Sequence, residues 1–179
     1  MKRIPLKAIL ITLVGLVAVG SLVSQTPTTP ATTSTQVQSE PCTVTGVTLV
    51  IDFGASGKSG KTVEAYCVQN FSGNGWQLFR AAAIDVHGTS EYPQSFVCRL
   101  QGVPDAKDED CQGTPDFRTG TWVYYVASAE GENNTWSRSG AGAAMRKPKC
   151  GDFEGWRFVT GFEAANFPPR MSAKPFSCK

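Results

Sequence analysis

A chain of 179 residues with 41% hydrophobic content holds one ordinary domain plus extensions. Seventeen Lys and Arg against fifteen Asp and Glu leave a net charge of +2, which argues against a strongly charged partner. The sequence concentrates no basic face, so nucleic acid is not an expected partner.

The amino-terminal stretch reads as a targeting segment. Lys2, Arg3 and Lys7 precede an apolar run from Ile9 to Val19, and Ala18-Val19-Gly20 has the small-x-small form of a cleavage site. Residues 1–24 are therefore expected to be a signal peptide and the protein to be secreted. Apolar residues continue to Val23, so an uncleaved signal anchor is the alternative and the one expected route to a membrane. Residues 25–41, rich in Thr, Ser, Pro and Gln, have little to bury and are expected to form a disordered tether. The folded domain is expected over 42–160, with an irregular tail over 161–179.

Val47, Leu49, Ile51 and Phe53 alternate with their neighbours and share one face of a strand. A Gly/Ser/Lys turn follows, and Val63, Ala65 and Cys67 alternate again, which together spell a β-hairpin with a long loop. Ser72-Gly73-Asn74-Gly75 breaks the pattern, with Asn74 suited to capping a helix. From Trp76, the residues Phe79, Ala82, Ala83 and Val86 fall at helical spacing until Gly88, predicting about three turns. Further strands are expected at 95–100, 122–127, 135–138 and 152–158, with a polar excursion over 105–120. The order predicts an α+β domain, one helix packed on a mixed sheet.

Six cysteines in an exported chain read as a disulfide framework, although the count alone leaves the connectivity open. Cys98 and Cys111 close a short loop, Cys42 and Cys67 flank the first hairpin, and Cys150 with Cys178 would tie down the tail. Zinc is not expected, because no C-x-x-C pair exists and the lone His87 is remote from every cysteine.

Several motifs invite a sharper reading. Ala55-Ser56-Gly57-Lys58-Ser59-Gly60-Lys61-Thr62 imitates a Walker A loop, but alternation rather than helical spacing follows it, so a hairpin loop is expected. Asp108-Glu109-Asp110-Cys111-Gln112-Gly113 imitates a calcium loop without its closing Glu. Looser coordination by Asp105, Asp108, Asp110 and Asp116 competes there with a solvated acidic loop. His87 lacks a nucleophile or carboxylate partner and reads as a helix C-terminal cation, not a catalytic base. Arg146-Lys147-Pro148-Lys149 reads as a solvated basic turn, and Asn70 and Asn133 stand in glycosylation sequons. Trp122, Tyr124, Tyr125, Trp136 and Trp156 divide between core and an exposed aromatic face suited to a flat ligand. No catalytic residues and no cofactor are expected, and the chain is read as not an enzyme.

The order of motifs also resembles a known family. A helix with Leu78-Phe79-Arg80-Ala81-Ala82 precedes Ser95-Phe96-Val97-Cys98-Arg99-Leu100-Gln101-Gly102-Val103-Pro104. Then come Gly120-Thr121-Trp122-Val123-Tyr124-Tyr125, the small-residue run Gly140 to Ala144, and Gly151-Asp152-Phe153-Glu154-Gly155-Trp156-Arg157-Phe158. This resembles the C-terminal domain of transcobalamin and intrinsic factor, and most closely small secreted actinobacterial relatives of that domain. Gly155 inside the Glu-Trp-Arg run and the dense cysteines depart from the pattern. The resemblance implies a β-grasp-like fold and a ligand site at Trp122, Tyr124, Tyr125 and Trp156, with cobalamin or a related corrinoid as ligand. In the vitamin carriers this domain covers one face of the corrinoid.

The functional expectation is thus a secreted, non-enzymatic module that binds a small molecule or an extracellular protein. The alternative is an interaction protein resembling subtilisin-type protease inhibitors, presenting the Cys98–Cys111 loop to a protease.

Overall fold

A computed structural model describes residues 35–54, 63–130, 135–161 and 167–178. The signal segment over 1–24, most of the expected tether, the Walker-like stretch over 55–62 and the sequon at Asn133 lie outside them.

Two sheets and one short helix make up the described chain. The strands are β1 (Val37–Gln38), β2 (Val47–Asp52), β3 (Val63–Val68), β4 (Val86–Gly88), β5 (Val97–Leu100), β6 (Thr121–Ala127), β7 (Ser137–Arg138) and β8 (Phe153–Val159). The helix α1 covers Gly75–Ala81. The six-stranded sheet runs β1-β3-β2-β8-β6-β7, and β4 pairs with β5 in a separate hairpin. Pairing is antiparallel except between β2 and β8, the two central strands. The protein is therefore α+β with a mixed sheet. Strand β1 falls inside the stretch expected to be a tether: Val37 and Gln38 pair with Val68 and Cys67, so the fold begins before Cys42.

Alternation decides the two faces of the sheet. Leu49, Ile51, Trp122, Tyr124, Trp156 and Phe158 share one face and form the main core with Leu78 and Phe79 of α1. The opposite face carries Val50, Ala65, Ala127 and Phe153, and the tail covers it through Met171, Ala173 and Phe176. Trp136 joins this second layer: its indole N–H donates to the Met171 carbonyl at 2.7 Å. Gly155 makes room for it, since a Cβ there would lie 2.7 Å from the Trp136 ring. Asp52, fully buried on this face, accepts from the Arg170 main chain and guanidinium and so pins the tail. Three disulfides, Cys42–Cys67, Cys98–Cys111 and Cys150–Cys178, staple the first hairpin, the β5 loop and the tail.

The helix is shorter than its spacing predicts. Asn74 and Gln77 form a reciprocal capping box at its start. It ends where the Ile84 N–H bonds the Phe79 carbonyl and the Ala83 N–H bonds that of Arg80, with Ala83 left-handed at φ 57°. This is a Schellman closure with alanine where glycine is usual. Ile84 is buried, so the packing of that residue offsets the strained alanine. Val86 and His87 consequently lie in β4, and His87 is not at a helix C-terminus. Its Nε2 sits 3.3 Å from the Asp85 carboxylate, with both side chains exposed.

Candidate functional site

The candidate site lies along the free edge of β6. Strand β7 pairs only with Tyr125 and Val126, and a last bond runs from the Ser139 N–H to the Tyr124 carbonyl. Beyond it the chain peels away through the small residues Gly140 to Ala143. A cleft of about 360 Å³ opens there, floored by Thr121 to Tyr124 and walled by Ser95–Val97, by Thr114, Pro115 and Phe117, and by the 140–143 strip. Glycine and alanine keep that wall low, because they add little side-chain bulk between the two loops.

Trp122, Tyr124 and Trp156 all line this cleft. They do not form the exposed aromatic platform that alternation allowed: their relative exposures are 5%, 9% and 4%. Tyr124 stacks on Trp156 at 4.5 Å and 10°, as cross-strand partners across β6 and β8. Trp122 meets Phe158 and Phe53, and its indole N–H donates to the Val103 carbonyl at 2.9 Å. The rings are committed to one another and to the helix, and leave little surface to the cleft. Tyr125 does not belong with them. It points to the opposite face, 3% exposed, in a small cluster with Val123, Val159 and Trp136.

Behind the cleft sits a buried ionic cluster that the sequence reading missed. Arg146 donates through Nε to Glu154 at 2.8 Å and through a terminal nitrogen to Asp152 at 2.9 Å. The Tyr124 hydroxyl donates to the other Glu154 oxygen. Burial pushes the Glu154 carboxyl up to about 7, with Arg146 and Tyr124 opposing that rise. Burial also raises the Tyr124 phenol, and the Glu154 charge adds to it. The basic turn at 146–149 is thus not simply solvated: Arg146 is the ion that docks the cleft wall onto the sheet, while Lys149 pairs with exposed Glu130. A run of four basic-loop residues gives no sign of this. The sequence hint was an acidic residue, Glu154, on the same face of its strand as Trp156 and Phe158.

The remaining candidates are accounted for locally. In the acidic loop, the Asp105, Asp110 and Asp116 carboxylates accept from main-chain N–H groups two residues ahead. Cys98, Glu109 and Cys111 come close together, but the two sulfurs are joined and offer no thiolate. Asn70 is exposed in the turn between β3 and α1. A second groove, about 570 Å³ and lined by Pro41, Phe153, Met171 and Phe176 among others, lies at the tail. Among the described residues no helix is long and apolar enough to cross a membrane.

Comparison with family models, with curated proteins and with solved structures finds no match to this chain.

Proposed function

We propose that the chain is an exported, non-enzymatic binding module and that the cleft beside Thr121–Tyr124 is its binding site. The observation that carries this reading is the cleft itself: a recess at a sheet edge, apolar and glycine-lined, backed by Trp122, Tyr124 and Trp156. Its described lining holds no nucleophile paired with a base. Three disulfides support an oxidising compartment and hence export.

The strand order supports a β-grasp fold. A first hairpin (β2, β3), a helix, and later strands β6 and β8, with β8 central and parallel to β2, favour that reading. It fits the resemblance to the transcobalamin and intrinsic factor C-terminal domain, and cobalamin is the specific ligand that follows from the resemblance. The buried aromatics favour a ligand entering edge-on over one stacking flat on an exposed ring. The protease-inhibitor reading draws no support from the Cys98–Cys111 loop. That loop folds on itself through bonds from Asp108 and Glu109 N–H groups to the Asp105 carbonyl, whereas an inserting loop is extended.

The test is calorimetric and spectral titration of the full chain with cyanocobalamin. Binding heat, together with a shift of the visible bands that Gly142→Trp removes, supports the corrinoid reading. Neither heat nor shift removes cobalamin, and a thermal-shift screen that finds no ligand sensitive to Gly142→Trp removes the cleft as the site.

A further inference from the structure

We propose that the 140–146 wall of the cleft is a proton-latched lid: Arg146 holds it down over Glu154 and Asp152, and loss of the Glu154 proton frees it to open. The consequence for binding rests on the cleft being the site, whereas the movement itself does not.

The count of charges defines the latch. Glu154 and Asp152 are 1% and 5% exposed, and the single guanidinium of Arg146 holds both. With both carboxylates ionised the cluster carries one negative charge in excess, and with Glu154 protonated it is neutral. The surroundings supply no second cation among the described residues. From β6 comes Tyr124, whose hydroxyl donates to Glu154. From β2 comes apolar Leu49, its ladder partner, and beyond that Tyr66 of β3 is bonded to Glu64. Helix α1 presents Gly75, where a Cβ would lie 2.9 Å from the Tyr124 hydroxyl, and its Arg80 is exposed to solvent. Lys149 gives its main-chain N–H to Asp152, but its ammonium pairs with Glu130. A buried excess charge without a partner is costly, so the closed cluster favours the proton.

The wall is the part that can move. Glu154 belongs to β8, which is bonded to β2 on one side and to β6 on the other. Residues 140–146 belong to no strand or helix. Arg146 is the outermost of the three ions, with 25% of its side chain exposed. A Cβ on Gly140 would meet nothing within 4 Å, and one on Gly142 only the Ser95 carbonyl at 3.8 Å. The wall is thus loose at its glycines and anchored from Ala143 to Arg146. The Gly75 and Trp76 N–H groups donate to the Arg146 and Ala143 carbonyls at any pH, so the proton sets how often the wall opens. Opening widens the cleft, because residues 140–143 line it.

Opening acts on Glu154 in two ways. It removes Arg146, which disfavours the charge, and it admits water, which favours it. In the closed state burial outweighs Arg146 and Tyr124 together and holds the carboxyl at about 7. Hydration therefore wins, and the ionised carboxylate favours the open wall. The lid loosens as pH rises through neutrality.

The test is hydrogen exchange of the full chain at the Gly75 and Trp76 amides, which donate from α1 into the wall. Rates are corrected for intrinsic chemistry and followed from pH 6 to pH 8.5. Protection should fall by about thirtyfold, the change for a group that titrates at about 7 when closed and 4.5 when open. Dilute urea should leave these two amides unchanged but quicken Leu49, which the central sheet exposes only on global unfolding. Glu154→Gln keeps the neutral shape and should hold the protection constant across the interval. In the wild type the Glu154 carboxyl carbon should titrate near pH 7, a readout that needs no variant. Wall amides whose protection ignores pH, or which follow urea as Leu49 does, overturn the proposal. If they loosen with pH while no ligand is sensitive to Gly142→Trp, the lid stands and the binding site falls. If a ligand is lost in Gly142→Trp while the wall amides ignore pH, the lid falls and the binding site stands.

Discussion

Glu154 is the residue on which the described ionic chemistry converges. It is 1% exposed and held by Tyr124 and Arg146, with Asp152 the other carboxylate on that guanidinium. Its carboxyl is raised from 4.5 to about 7 in the folded protein, so the folded state binds the proton more tightly than the unfolded chain. The stability contributed by that proton is full below about pH 4.5 and is lost as pH rises through 7. Melting temperature should therefore fall between pH 5 and pH 8, and Glu154→Gln should flatten the fall. The span corresponds to up to about 3 kcal/mol. A wild-type melting curve that rises over that interval would contradict this. Removing the cation has the opposite consequence. Arg146→Met strands two carboxylates against the sheet and should cost about 3 kcal/mol in a urea titration at pH 8, with Glu154→Gln recovering part of it. Asp52 works in another window. Burial opposes its ionisation, but the Arg170 and Gly54 hydrogen bonds outweigh burial and hold its carboxyl below the usual value. Its contribution is present above pH 3.8 and is lost as pH falls below that, with detachment of the tail as the consequence.

At the level of elements, α1 and the β5 loop show how local geometry shapes the site. The helix is closed by Ala83 in the left-handed region, a conformation that glycine adopts without a Cβ penalty. Ala83→Gly should raise stability by about 0.5–1 kcal/mol, read as a higher urea midpoint with an unchanged slope. No gain would mean that the Schellman bonds do not form in solution. At the other end, the cleft wall caps the helix: Gly75 and Trp76 N–H groups donate to the carbonyls of Arg146 and Ala143. Asn74 bonds the Ala144 carbonyl and completes the capping box. Asn74→Ala should cost about 1 kcal/mol and loosen the 140–146 wall as well as the helix, seen as faster amide exchange on both. Exchange that quickens in α1 alone would separate the two elements.

At the largest scale, the described residues form a sheet covered on both sides, by a helix on one and by a strap without regular structure on the other. The strap depends on a close approach at Gly151, where the chain turns at φ 87° and a Cβ would meet the Phe176 carbonyl at 1.7 Å. The Phe176 N–H in turn donates to the Gly151 carbonyl. Gly151→Ala should lift the tail and uncover Phe153 and Val50. The expected signs are binding of a hydrophobic dye and a melting point lower by several degrees, the shift that about 2 kcal/mol produces in a domain of this size. Unchanged dye binding would mean that the tail is not needed to cover the sheet.

The sequence by itself determined the central strands, the mixed α+β character, the start of the helix and cysteine spacings that suit the three staples. All but the last are written in near neighbours, as alternation in Val47–Phe53 and Thr121–Ala127 and a capping residue at Asn74, whereas the bridged cysteines lie 13 to 28 residues apart. Tertiary structure alone decided the rest. The helix stops early because Ile84 finds a buried place, and Arg146 becomes a half-buried ion because the buried Glu154 and Asp152 face it. Trp122, Tyr124 and Trp156 are buried because cross-strand partners and α1 cover them, while Tyr125 belongs to the other side of the sheet. The cleft exists because β7 ends one bond after Val126 and Tyr125 are paired. Periodicity tells which side of an element a residue takes, but what lies opposite that side is set by segments tens of residues away.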